Sequence, residues 1–332
     1  MELWRGLVNR CSLKQLFVTC LLCGIVFVAT YHMKCGVPLM NRELVLERDV
    51  MDARYLPSVN CSSFHQEFQV DERKRFPTAI IIGVKKGGTR ALLTMLELHP
   101  SVVTAHHEVH YFDYDENFQK GVESYIDQMP VSKPGQITIE KSPHYFVTDV
   151  VPQRMRMVSQ NLKLILIVKD PVTRLISDFT QLDAKKVVNK REKRPSFEEA
   201  VLQRDGSVNT NYIPVQVSNY AVHLTKWLKY FPLSQILILD GDNFVANPYE
   251  ELLKVQTFLQ IKPFYTRSQF VFSDVKGFYC WKMNIQQEPK CLGDKKGRTH
   301  PTVSENVKQK LKQYYQSSNE QFYKLAQQKF NW

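Results

Sequence analysis

Two short stretches hold most of the residues able to do chemistry. In "IIIGVKKGGTR" (residues 80–90) a β-branched run enters a loop containing Gly83, Gly87 and Gly88, the cations Lys85, Lys86 and Arg90, and the hydroxyl of Thr89. A glycine-rich turn from strand to helix exposes backbone N–H groups at the positive end of a helix dipole, which suits a phosphate. The three cations would add mobile positive charge. The order departs from the nucleoside triphosphatase loop G-x-x-x-x-G-K-[ST], because Thr89 follows Gly88 and both lysines come earlier. An early lysine can still meet a 5′-phosphate, but the Mg²⁺ and γ-phosphate arrangement of a kinase is not reproduced.

The second stretch, "HHEVHYFD" (residues 106–113), puts three imidazoles and two carboxylates into eight residues. Its spacing is H-E-x-H, whereas a zinc protease helix needs H-E-x-x-H, and the β-branched and aromatic neighbours point to a strand or loop. No metal is expected. A lone glutamate is usually a solvated charge, and it is the clustering that makes Glu108, His110 and Asp113 candidates.

These stretches need a scaffold, and the chain from Pro77 onward has the texture of one. "TAIIIGV" (78–84), "LKLILIVKD" (162–170) and "SQILILDGD" (234–242) are continuous apolar runs of strand length, as a parallel sheet covered on both faces requires. Each is followed by a segment with helical spacing: "TRALLTMLELHP", "PVTRLISDFTQL" opening on Pro171, and "NPYEELLKVQTFLQI" with Pro248 near its start. Strand, loop and helix in repetition predict an α/β fold, a central parallel sheet flanked by helices, with ligands gathered at the carboxyl ends of the strands. Lys141, in "IEKSP", falls at another such strand end.

The 332 residues, 43% hydrophobic and 23% charged, are enough for one substantial core. Forty-four Lys and Arg against 33 Asp and Glu give a formal charge of +11, which favours an acidic partner. Arg5, Arg10 and Lys14 precede the apolar run "LFVTCLLCGIVFVATY", which begins at Leu16. Positive residues before a span keep that end in the cytosol. The organisation expected is therefore a cytosolic tail (1–15), a signal-anchor helix (16–32), a lumenal stem (33–76) and one globular domain (77–332). A cleaved signal peptide is the alternative, and both place the bulk of the chain in the secretory pathway. Cys280 and Cys291 read as a hairpin staple in an oxidising lumen, worth about 2 to 3 kcal/mol. Cys20 and Cys23 lie inside the apolar run as small residues, and Cys11, Cys35 and Cys61 are left unassigned. Asn60, in the chain's single N-x-[ST] sequon, would accept a glycan.

Six segments in order, "AIIIGVKKGGTRALLTMLELHP", "HEVHYFD", "IEKSPHYF", "KDPVTRLISDFTQ", "GFYC" and "KGRTHP", resemble the heparan sulfate glucosamine 3-O-sulfotransferases, nearest the isoform 1 and isoform 5 group. The resemblance implies a P-loop-like sulfotransferase fold over residues 77–332. It implies sulfuryl transfer from 3′-phosphoadenosine 5′-phosphosulfate to the 3-hydroxyl of glucosamine in heparan sulfate, by a single-pass type II Golgi membrane enzyme with a lumenal catalytic domain and no nucleic-acid partner. By the same resemblance Lys86, Gly87, Gly88, Thr89 and Arg90 hold the 5′-phosphosulfate, with Lys86 on the departing oxygen. Lys169 and Ser177 stand where relatives bind the 3′-phosphate with Arg and Ser; lysine keeps the charge and loses the bidentate fork. Phe179 replaces a usual Tyr. Tyr279 and the loop Lys296, Gly297, Arg298, Thr299 and His300 form the second donor-binding segment. Glu108 is the implied general base, oriented with the acceptor by His110 and Asp113. Lys141, from its strand end, could reach either the transferred sulfuryl group or an acceptor sulfate, and Gln181 and Arg90 are further candidates for acceptor contact. The run 185–194, "KKVVNKREKR", reads equally as a polyanion cleft or a solvated loop.

Two other classes fit parts of the pattern. A heparan-binding protein without catalysis would keep the basic surface but pass no labelled sulfate to the polysaccharide. A nucleotide-dependent kinase would transfer phosphate from ATP with Mg²⁺.

Overall fold

The computed structural model describes residues 71–188, 195–284, 286–293 and 300–332, without the side chains of 185–188. The apolar segment 16–32, Asn60, the five cysteines before residue 62, the basic side chains of 185–194, and Lys296, Gly297, Arg298 and Thr299 lie outside the described residues. Among the described residues no helix is long and apolar enough to cross a membrane.

The first described strand, β1 (Arg73–Lys74), falls within the stretch read as stem. β2 (Ala79–Gly83) leads through a tight loop into α1 (Thr89–Leu96) and then β3 (Val102–Thr104). β4 (Val131–Ser132) and β5 (Ile137–Lys141) follow, then α2 (Val151–Val158), β6 (Lys163–Val168) and α3 (Pro171–Val188). Beyond these come α4 (Tyr220–Leu228), β7 (Ile236–Asp240), α5 (Gly241–Ala246) and α6 (Pro248–Leu259). A hairpin of β8 (Phe270–Ser273) and β9 (Phe278–Trp281) and a long α7 (Glu305–Ala326) complete the domain.

The central sheet has the order β3-β5-β2-β6-β7, with every pairing parallel. Its strands are buried on both faces, which explains their uninterrupted apolar composition. Ile80, Ile82, Leu164 and Leu166 pack with Trp227, Phe231 and Phe322 on one side. Ala79, Ile81, Ile165 and Ile167 meet Leu92, Leu96, Leu252 and Leu259 on the other. Each such aliphatic side chain contributes about 1.5–3 kcal/mol when fully covered. A third cluster, including Val172, Leu175, Val307 and Tyr315, seats α7 against α3.

β1 pairs antiparallel with β4, and Phe76 lies edge-on to Tyr125 at 5.4 Å. Residues 73–76, read from sequence as stem, therefore pack on the folded domain. The β8–β9 hairpin carries the Cys280–Cys291 bond, whose Cα atoms are 4.5 Å apart. The carboxyl ends of β3, β5, β2 and β6 lie side by side, and the loops leaving them build the site.

Candidate active site

At the end of β2 the chain is pinned to its neighbours by main-chain bonds. Val84 N–H donates to the Ile167 carbonyl at 3.0 Å, and Gly87 N–H closes a turn on the Val84 carbonyl at 2.9 Å. A Cβ at Gly87 would stand 2.2 Å from the Ile167 oxygen, and one at Gly241 would stand 2.4 Å from the Gly87 oxygen. Only glycine fits either place. Lys86 (φ 75°) and Gly88 (φ 119°) take left-handed conformations, and Gly88 caps α1 with no side-chain hydrogen bond to the first turn. The first-turn amides of α1 therefore face the cleft without a side-chain acceptor.

A buried ionic group supports this loop from below. Arg174, fully buried, donates to the Lys85 carbonyl (3.3 Å), to Ser218 Oγ (2.7 Å) and to Asp178 (2.9 Å). Asp178 also holds Lys85 Nζ at 2.7 Å. Burial opposes the Asp178 charge, but Arg174 and Lys85 outweigh it and keep the carboxyl below its usual range. This corrects the reading of Lys85 as a mobile cation: it stands on the cleft wall beside Lys86 and Arg90 but is tied to the scaffold through Asp178.

Across the cleft, residues 105–113 form a loop, one of the two forms their composition allowed. Lys141, nearly fully covered at the end of β5, donates directly to Glu108 Oε1. Glu108 Oε2 lies 3.5 Å from His110 Nε2, and His110 Nδ1 lies 2.8 Å from Asp113 Oδ2. The same Oδ2 meets His144 Nδ1 at 3.1 Å. Lys141, Glu108, His110, Asp113 and His144 thus form one continuous chain of polar contacts. Burial works against the Glu108 charge, but the Lys141 hydrogen bond and charge, with His110 and Arg90, hold the carboxyl below its ordinary range. The opposite balance applies to Lys141, where burial lowers the ammonium pKa despite Glu108.

The loop itself hangs on Ser142, whose Oγ accepts from Val109 N–H (3.0 Å) and His110 N–H (3.2 Å) and donates to Glu140 Oε2 (3.0 Å). Glu140 is fully buried, and burial pushes its pKa up to about 7 against the hydrogen bonds from Ser142 and Tyr125.

The two sides enclose a cleft of about 660 Å³. Of the residues singled out by sequence, Lys86, Gly88, Thr89, Arg90, Glu108, His110, Lys141, Lys169, Ser177, Gln181, Tyr279 and His300 line it. Gly87 lies beneath the loop, and Asp113 is fully covered, reaching the cleft only through its two imidazoles. Lys169 Nζ is 3.4 Å from Asp242 Oδ1. Burial, then the charges of Lys169 and Lys86, lower the His300 pKa. Sequence reasoning missed His144, Tyr114, Thr180, Phe244 and Lys276, all on the wall. "SPHYF" held the signal for His144, three residues after Lys141. Thr180 follows from helical spacing with Ser177 and Gln181.

Residues 76–330 match the family described as "Sulfotransferase domain". The chain is 46% identical over 273 residues to heparan sulfate glucosamine 3-O-sulfotransferase 5 of Mus musculus, covering 82% of this chain and 78% of that one. It belongs to the heparan sulfate glucosamine 3-O-sulfotransferase family. The Homo sapiens form of the same relative is 46% identical over 78% of this chain and 75% of its own. The sulfotransferase named 3B1 in Mus musculus is 44% identical over 78% of this chain and 65% of its own. A solved sulfotransferase from Alicyclobacillus acidocaldarius shares the fold at a TM-score of 0.58 and 17% identity, covering 77% of this chain and 98% of that one. In this sulfotransferase, then, the glycine loop after β2 and the glutamate loop after β3 face one another across a cleft lined, among the described residues, by six lysines and arginines and one carboxylate, Glu108.

Proposed function

We propose that the protein transfers a sulfuryl group from 3′-phosphoadenosine 5′-phosphosulfate to the 3-hydroxyl of glucosamine residues in heparan sulfate. What carries this reading is a single arrangement: Glu108 and Lys86 face one cationic cleft, in a chain 46% identical to relatives named for that reaction.

The donor has phosphates at both ends of its ribose, a purine and a reactive sulfate. The cleft fits such a molecule. Uncapped amides of α1 and Lys86 suit the 5′ end, Lys169 and Ser177 suit a second phosphate, and Phe244, Val245 and Tyr279 offer apolar wall to a purine. Glu108, kept ionised by Lys141, would accept the proton of the sugar hydroxyl as its oxygen bonds to sulfur and the bond to the nucleotide oxygen breaks. Lys86 would meet the negative charge that collects on that departing oxygen. His110, braced by Asp113, would keep the Glu108 carboxylate aimed at the acceptor.

The same reading places the enzyme in the Golgi, anchored through residues 16–32 with its catalytic domain lumenal. Its support is the cationic flank Arg5, Arg10 and Lys14, together with the bonded pair Cys280–Cys291, which suits an oxidising compartment.

The deciding test incubates the full chain with labelled sulfate donor and defined heparan sulfate oligosaccharides, then maps the product by mass spectrometry. New sulfate on the glucosamine 3-oxygen is expected. Sulfate at another position, or polysaccharide bound without labelling, ends this reading.

A further inference from the structure

Among the groups on the cleft wall, His144 has no part in the proton transfer above, yet it is held as firmly as His110. Its Nδ1 lies 3.1 Å from Asp113 Oδ2 and 3.1 Å from Thr148 Oγ1. His110 Nδ1 lies 2.8 Å from the same carboxylate oxygen. The Asp113 side chain is completely covered, and between them the two imidazoles, by hydrogen bonds and charge, keep it ionised against its burial. An ionised carboxylate only accepts hydrogen bonds, so both rings carry hydrogen on Nδ1 and present Nε2 away from Asp113. For His110 that outward atom faces Glu108. For His144, whose side chain is 53% exposed and forms cleft wall, it meets no protein partner among the described residues.

We propose that His144 is an acceptor-binding residue, its Nε2 taking an anionic substituent, a sulfate or a carboxylate, on a sugar flanking the target glucosamine. The inference rests on the proposed sulfotransferase reading and deepens it. The polar chain that begins at buried Lys141 ends at this imidazole, so the ring is oriented before substrate arrives and loses little freedom on binding. The outward contact is made by the imidazolium form, which donates from both nitrogens, one to Asp113 and one outward, because the neutral ring with hydrogen on Nδ1 offers only a lone pair at Nε2. A polyanion passing over the mouth of the cleft supplies the missing acceptor.

The test compares wild type, His144→Ala, His144→Gln and His144→Lys on a matched set of heparan oligosaccharides. One member carries all substituents, one lacks O-sulfates, one lacks N-sulfate, and one has its uronate carboxyls reduced. On the complete acceptor, His144→Ala should raise the acceptor KM about tenfold, with kcat within about twofold and donor KM unchanged. His144→Lys should recover most of the loss. The KM penalty should vanish on the one acceptor that lacks the group His144 reads, which separates sulfate from carboxylate. An equal penalty on every acceptor, an unchanged KM, or a loss confined to kcat would overturn the inference, the last because it would mean that His144 acts only through Asp113 on Glu108. His144→Gln keeps a donor toward Asp113, so it gives the same comparison should the alanine variant be destabilised. Wild type that transfers no sulfate to any acceptor would instead end the parent reading.

Discussion

Around the β2 loop the functional atoms are placed by main chain: Val84 bonds to β6, Gly87 is wedged against the Ile167 carbonyl, and the α1 amides lie uncapped. Across the cleft, Glu108 sits in an irregular loop placed by side chains that arrive from far along the chain. Ser142 reaches Val109 over 33 positions, and Lys141 reaches Glu108 over 33. A main-chain cradle binds phosphate whatever the rest of the substrate is. A side-chain relay can be retuned one residue at a time, which suits the side that must read a variable polysaccharide.

The sharpest way to break this contrast is to damage one side and watch the other. Glu108→Gln should lower kcat by roughly 10²–10⁴-fold, the usual worth of a positioned base. Donor affinity, measured by calorimetry with adenosine 3′,5′-bisphosphate, should stay close to wild type. Loss of donor binding in that variant would mean that the two sides are not separate.

Gly87→Ala attacks the main-chain side. Its Cβ would meet the Ile167 oxygen at 2.2 Å, backbone against backbone, and nothing flexible lies there to yield. The expected cost is about 3 kcal/mol of stability, with a loss of donor affinity that exceeds any change in acceptor KM. A fully stable variant with normal donor binding would show that the cradle is not set by this contact.

The acceptor side has a matching weakness in Glu140. Its folded-state pKa, about 7, lies above the ordinary 4.5, so the folded protein holds that proton more tightly than the unfolded chain does. The stability it contributes is complete below about pH 4.5 and declines as pH rises through about 7. Glu140→Gln removes the titration. Thermal melts from pH 4.5 to 7.5 should show wild type losing on the order of 2 kcal/mol relative to the variant. Parallel curves would mean that Glu140 is not perturbed, and that Ser142 anchors the glutamate loop without it.

The same contrast explains what could be read from sequence. β2, β6 and β7 were legible because strands covered on both faces must be apolar throughout. β5 was legible only at its end, Lys141, and not as a continuous apolar run, since "ITIEK" buries Thr138, Glu140 and Lys141 beside its isoleucines, and polar residues there serve the site. The glycine loop was legible because its chemistry is local. Glu108, His110 and Asp113 were legible as a cluster, but Ser142 and His144 join them only when β5 runs beside β2 and β3, which no spacing reveals. Lys85 misled for the opposite reason: its partner, Asp178, lies on α3, and an isolated lysine in a basic loop gives no sign of it.

The smallest effect concerns Lys169, one of the two positions, with Phe179, at which the sequence departs from the pattern it resembles. Lys169 is a point charge near Asp242 Oδ1, at 3.4 Å, and beside His300, whose imidazolium it disfavours. Lys169→Arg would add a planar fork able to hold two oxygens of one phosphate. If Lys169 serves the donor's 3′-phosphate, arginine should tighten adenosine 3′,5′-bisphosphate about threefold, leave adenosine 5′-phosphate unchanged, and leave acceptor KM alone. The mononucleotide is the informative control, because Asp242 competes for either cation and a gain from altered pairing there would appear with both ligands. Equal tightening of the two nucleotides would move the second phosphate elsewhere on the cleft wall, toward Ser177.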